Sequence, residues 1–110
     1  MRTLDLATVF FKLEIEDVFS IPGRSKTVVA GRVATGAIHD KAAVVITTAA
    51  GEVVRTTRIM DLEWLDRRRC GEHVTADAGM NVAVVFEEAD EAFLRPGHYL
   101  VIETRADFNL

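Results

Sequence analysis

The sequence predicts an all-β fold, a closed six-stranded antiparallel barrel, and three observations predict it. Apolar and polar residues alternate with period two in several short segments. Turns rich in glycine and proline separate those segments. No stretch carries the 3.6-residue period of a long amphipathic helix. Closure is favoured over an open sandwich because it removes the edges that short apolar strands would otherwise expose.

The first strand begins at Phe11, where Phe11, Leu13 and Ile15 alternate with Lys12, Glu14 and Glu16. That period gives one buried and one wet face. Val18, Phe19 and Ile21 continue the strand, but the phase changes at Asp17-Val18, which predicts a bulge. Pro22-Gly23 ends it, and Arg24-Ser25-Lys26 forms a polar loop. The second strand is 27–36, rich in β-branched residues, with Gly31 placed where a barrel needs a bend or a close backbone approach. Strands three and four, 43–48 and 52–60, form a hairpin about Ala50-Gly51. From Asp61 to Asp77 the pattern changes, and a short helical turn followed by a loop through Gly71 is expected. The fifth strand is 80–86, an acidic helical turn follows over 87–94, and the last strand is 98–103 after Pro96-Gly97.

The chain has 110 residues, which suits one domain over 1–110, with a core at about 9–104 and a loose tail over 105–110. Hydrophobic residues make up 49% and charged residues 27%, values that exclude intrinsic disorder. A single cysteine, Cys70, cannot form an intrachain disulfide and points to a reducing, cytoplasmic setting. Asp5 and Lys12 interrupt any signal-peptide core near Met1. No apolar run approaches the ~20 residues of a membrane helix. The formal net charge of −4 argues against broad, non-specific nucleic-acid binding while leaving room for a local basic patch.

The residues give no catalytic constellation. Gly23-Arg24-Ser25-Lys26-Thr27 resembles a phosphate loop, but Ser25 and Ser20 stand where that loop needs glycines. It reads as a hairpin loop, and no nucleotide or other cofactor is expected. Cys70 and His73 have the spacing of half a zinc site, but His39 and His98 are distant and unpatterned. Arg67-Arg68-Arg69 beside Cys70 reads as a solvated basic run, with phosphate contact and a lowered thiol pKa as the alternatives. Glu87, Glu88, Asp90 and Glu91 lack calcium-loop spacing and read as a solvated turn. The serines and threonines have no histidine placed to activate them. Trp64, with Leu62 and Leu65, is expected to cap a barrel end, or, if exposed, to mark a contact patch.

Three segments carry a family resemblance. Residues 15–24, Ile-Glu-Asp-Val-Phe-Ser-Ile-Pro-Gly-Arg, followed by Thr27-Val28-Val29-Ala30-Gly31-Arg32-Val33 and Gly36, resemble the opening of domain 2 in elongation factor Tu and related translational GTPases. Ala78-Gly79-Met80-Asn81-Val82 is similar to the family's Ala-Gly-Asp-Asn-Val segment, and Arg95-Pro96-Gly97-His98-Tyr99-Leu100 to its closing segment. The departures are a longer loop after Gly23, His39-Asp40-Lys41-Ala42 in place of a Val-Gly-Asp turn, and a longer 61–77 segment.

The resemblance implies a translation-factor domain 2-like barrel that packs against a GTPase domain, and, in the tRNA-carrying member, helps hold the aminoacylated end of tRNA. Asn81 sits where that member uses an asparagine. Ile59 or Met60 stands where it uses a glutamate, so one polar contact is lost. The expected function is therefore a non-catalytic, stand-alone binding module that contacts translation machinery, an RNA end or a protein partner. Asn81, Arg24, Lys26 and Arg32 are its candidate contacts. The alternative is a self-associating or accessory protein-interaction subunit with no RNA role. An enzyme is the least expected outcome, because small barrels are filled by their own side chains.

Overall fold

Strand β1 runs over Phe11–Ile21 and β2 over Lys26–Thr35, antiparallel to it, in a computed structural model that describes residues 2–21, 23–64 and 75–108. Seven further strands follow: β3 (Ala37–His39), β4 (Ala43–Thr47), β5 (Val53–Arg58), β6 (Asp61–Trp64), β7 (Thr75–Asp77), β8 (Asn81–Glu87) and β9 (Tyr99–Ile102). A 3-10 turn covers Glu88–Phe93, and a short helical turn, α1, covers Arg105–Phe108. Seven strands form one antiparallel sheet in the order β5-β4-β9-β1-β2-β8-β6, while β3 and β7 pair separately. Among the described residues no helix is long and apolar enough to cross a membrane.

The alternation read from sequence sets the core. Phe11, Leu13 and Ile15 of β1 are buried, as are Val29 and Val33 of β2 and Val82, Val84 and Phe86 of β8. Their intervening neighbours face outward. Gly31 sits where β1 crosses β2. A Cβ there would lie 2.3 Å from the Glu14 carbonyl oxygen and 2.8 Å from Leu13 Cδ2. Only glycine permits that approach.

The expected closed, six-stranded cylinder is not what forms. The sheet has seven strands and two ends, β5 and β6, which are consecutive in the chain yet not paired with each other. Two residues span the gap. The Ile59 amide donates to the Ala42 carbonyl, on the β4 side, and the Met60 amide donates to the Val85 carbonyl of β8. The single strand expected over 52–60 thus bends at 59–60 and continues as β6, where a helical turn was expected. The reason is tertiary. Leu62 is fully buried between Asp61 and Glu63, and the segment pairs with β8 from Asp61↔Val85 to Trp64↔Val82. A period of two over only three residues is too short to read without its partner strand.

Two further expectations are corrected. The acidic turn is not wholly solvated, because Asp90 is buried. Arg55 Nε donates to Asp90 Oδ1 at 2.6 Å, and the Thr57 hydroxyl donates to Asp90 Oδ2 at 3.1 Å. The Arg55 guanidinium also lies 4.8 Å from the centre of the Phe93 ring. The 3-10 turn after β8 is thereby fastened to β5, across the seam where no ladder exists. Nor are residues 105–108 loose. They form α1, whose Phe108 ring stands 5.2 Å from that of Phe10, and His39 Nε2 donates to the Phe108 carbonyl at 2.8 Å. Residues 2–4 are held too. The Leu4 amide donates to Gly51, and the Val53 amide donates to Arg2, both at 2.8 Å.

Two stability changes follow. Asp90→Ala leaves Arg55 and Thr57 without their shared acceptor, and is expected to cost about 2 kcal/mol, the lower part of the range because Arg55 is a third exposed. Gly31→Ala forces a methyl into the Glu14 carbonyl, and is expected to cost about 3 kcal/mol. Urea denaturation of each variant measures both; wild-type midpoints would remove the seam and the crossing as structural constraints.

Candidate interaction face

The outer side of β1, β2, β8 and β6 is built by one register change. Before Ile15 the odd residues of β1 face the core; Ile15 pairs with Gly31 and Asp17 with Ala30, leaving Glu16 as the extra residue of a bulge. The phase then inverts. Val18 pairs with the buried Val29, while Phe19 pairs with Val28 and Ile21 with Lys26 on the outside. The bulge read at Asp17-Val18 is present, and it moves two large apolar residues out of the core phase.

Cross-strand pairing continues this outer pattern across the sheet. Phe19 opposes Val28, Val28 opposes Val85, and Val85 opposes Asp61. The next row runs Asp17, Ala30, Ala83 and Glu63, and the row on the other side runs Ile21, Lys26 and Glu87. Phe19 is 52% exposed and is the one large hydrophobic residue so exposed among the described residues. Ile21, Val28, Val85 and Met60 are partly exposed. The result is a continuous apolar strip with carboxylates at its margins. Asp17, Glu63 and Glu87 are exposed. None has an ion-pair partner among the described residues.

The structure divides the four candidate contacts into two pairs. Arg32 and Asn81 face each other across β2 and β8. Lys26 stands at the opposite end of β2, roughly 20 Å away by strand rise, with Arg24 exposed in the hairpin loop beyond it. Arg32 shares a shallow depression with Glu14 and Glu16. Lys26 Nζ contacts Met60 Sδ at 3.3 Å and opposes Glu87. Beside Lys26 a cleft of about 340 Å³ is lined by Ser20, Ser25, Glu88 and Glu91, with the Ser20 hydroxyl donating to Glu91. Phe19, Ile21, Val28 and Val85 are not among the contacts that the sequence suggests. The signal was available: the phase change at Asp17-Val18 already implied that Phe19 and Ile21 leave the core.

This fold is similar to part of a translation elongation factor. One similar solved structure is that of translation elongation factor SelB from Methanococcus maripaludis in its apo form, with a TM-score of 0.63 and 21% identity. The match covers 84% of this chain and 19% of that one. No protein-family model and no curated protein matches the sequence. The likeness establishes a translation-factor, barrel-like fold for this chain; elongation factor Tu domain 2 was the finer expectation. Arg67, Arg68, Arg69, Cys70 and His73, together with the Trp64 side chain, lie outside the described residues.

Next to the candidate pair, Glu14 opposes both Arg32 and Tyr99, and the Tyr99 hydroxyl donates to Glu14 Oε1 at 3.3 Å. Partial burial first, and the Glu14 charge and hydrogen bond second, raise the Tyr99 pKa above 10.0. A raised phenol pKa means the folded state keeps its proton longer. That contribution to stability is full below pH 10 and is lost as pH rises through the folded value. Tyr99 is the sole tyrosine, so phenolate absorbance follows it directly. Glu14→Gln is expected to lower its midpoint toward 10.0 without reaching it, because burial remains. An unchanged midpoint would mean that Glu14 does not bear on Tyr99.

Proposed function

We propose that this chain is a non-catalytic binding module of the translation-factor type, which joins a component of the translation machinery through the outer face of β1, β2 and β8. The observation that carries the reading is the fold itself, shared over 84% of the chain with translation elongation factor SelB. The outer face supports it, since an apolar strip bearing an exposed phenylalanine is the kind of surface that protein contacts use.

Between the two classes of partner, a protein fits this face better than an RNA end. Phosphate recognition needs a track of cations. Here Lys26 and Arg32 lie at opposite ends of β2, each opposed across the ladder by a carboxylate, Glu87 and Glu14. A chain of net charge −4 adds further repulsion.

Immobilised chain exposed to native lysate, with bound protein and RNA both identified, tests the reading. A translation factor or ribosomal component is expected to bind, and to stay bound as salt rises from about 50 to about 200 mM, a step that weakens phosphate-driven binding ~10³-fold or more. Recovery of RNA alone, lost over that step, would replace the protein reading with the RNA one. Exposed Phe19 favours a second reading, self-association. A mass that doubles with concentration in light scattering, and no translation component bound, would establish it.

A further inference from the structure

Resting on the binding-module reading, we infer that the occupant of the outer face is a segment of a partner protein that carries a short apolar stretch flanked by basic side chains, the apolar ones seated on Phe19, Ile21, Val28 and Val85 and the basic ones against the carboxylates at the margins. Three observations lead there.

Among the described residues nothing covers the strip, while its counterpart is covered. Val45 and Val101 lie on the outer side of β4 and β9 and oppose each other, yet both are buried. Arg2 from the N-terminal segment and Asp107 from α1 line the same cleft as these two valines. Arg2 is tied there by an ion pair to Glu103 at 2.9 Å. Arg2 and Asp107 thus stand beside one outer apolar strip, while among the described residues the other lies open, with Phe19 52% exposed.

The strip is also contiguous. Phe19, Val28 and Val85 oppose one another directly across three adjacent strands. Neighbouring strands lie ~4.8 Å apart, so these side chains share one surface rather than standing singly.

The margins select the charge of the partner. Asp17 and Glu63 close the row below the strip, Asp61 ends the strip itself, and Glu87 ends the row above. Lys26 is the one cation among these three rows. Asp17, Glu63 and Glu87 have no ion-pair partner among the described residues. An incoming lysine or arginine therefore meets open carboxylates, whereas an acidic segment or a phosphate meets like charge.

The test uses two synthetic peptides, one with a leucine stretch flanked by lysines (lysine–leucine) and one with the same stretch flanked by glutamates (glutamate–leucine), and a short oligoadenylate. Each is titrated into the full chain while backbone amide shifts are followed by NMR. The lysine–leucine peptide is expected to move the amides of 17–21, 28–30 and 83–87 and to leave those of β4 and β9 unmoved. Phe19→Ser, a change at an exposed position, is expected to weaken it roughly tenfold or more at an unchanged melting temperature. Asp17→Lys with Glu63→Lys is expected to reverse the preference toward the glutamate–leucine peptide. Shifts spread over the whole acidic surface, or binding indifferent to Phe19→Ser, would overturn the inference. So would preferential binding of the oligoadenylate or of the glutamate–leucine peptide to wild type, or shifts in these residues that depend on chain concentration alone. If native lysate yields a translation component while the lysine–leucine peptide fails, the binding-module reading stands and this inference falls; if the peptide binds as expected but no translation component is recovered, the face remains a binding surface and the translation part of the reading falls.

Discussion

Everything in this fold turns on the place where β1 and β2 cross, between Glu14 and Gly31. The two backbones approach there more closely than any Cβ would allow. One residue later the bulge at Glu16 reverses which side of β1 faces inward. Curl and inversion come from the same few residues, since a bulge adds local twist as well as shifting phase. The half of β1 before the crossing supplies Phe11, Leu13 and Ile15 to the core. The half after it presents Phe19 and Ile21 to the outside. Core and contact face are therefore two products of one local constraint, and neither can be altered at the crossing without disturbing the other.

The seam between β5 and β6 shows how a curled sheet manages without a closing ladder. Backbone groups at its ends need partners. Ile59 and Met60 supply two, one toward each side. The remaining work falls to side chains. Arg55 and Thr57, on β5, oppose Ile46 and Val44, which are core residues, and so stand on the inner side. Polar groups there require an acceptor, and Asp90 reaches them from the turn after β8. Phe93 adds a ring against the Arg55 guanidinium. A cation, a hydroxyl and a carboxylate, mutually satisfied, take the place of the hydrogen bonds that a closed cylinder would have used.

How much of this the sequence discloses depends on the range over which each feature is specified. The phase of β1, the need for glycine at Gly31, the β4–β5 hairpin at Gly51 and the bulge all follow from neighbouring residues, and all are legible. β6 is not, because its three alternating residues become a strand only by pairing with β8, some twenty positions later. Asp90 reads as a solvated acid among other acids; its burial depends on Arg55, 35 residues earlier. Phe108 reads as tail because its partners, Phe10 and His39, are distant in sequence. For the contact face the situation is intermediate. The four candidates Arg24, Lys26, Arg32 and Asn81 stand out by chemistry and family resemblance, neither of which says that strand rise divides them into two pairs. Phe19 does not stand out in the sequence, because a large apolar residue in a strand is ordinarily core.

That last point bears on what the outer face is for. Exporting Phe19 and Ile21 carries a cost, since each would contribute on the order of 1.5–3 kcal/mol if buried. The bulge itself does not require them: polar residues at 19 and 21 would satisfy the same backbone, as Asp17 does in the same outward phase. Nor does the curl require them, since Gly31 and the register change produce it regardless of what faces solvent. Neither the bulge nor the curl therefore accounts for the apolar identity of the strip. The opposite outer strip, at Val45 and Val101, shows what this chain does when an apolar surface serves the fold alone: it is buried, with Arg2 and Asp107 beside it. On the β1–β2–β8 side the described residues enclose the strip with a margin of carboxylates, which excludes nothing hydrophobic and attracts positive charge.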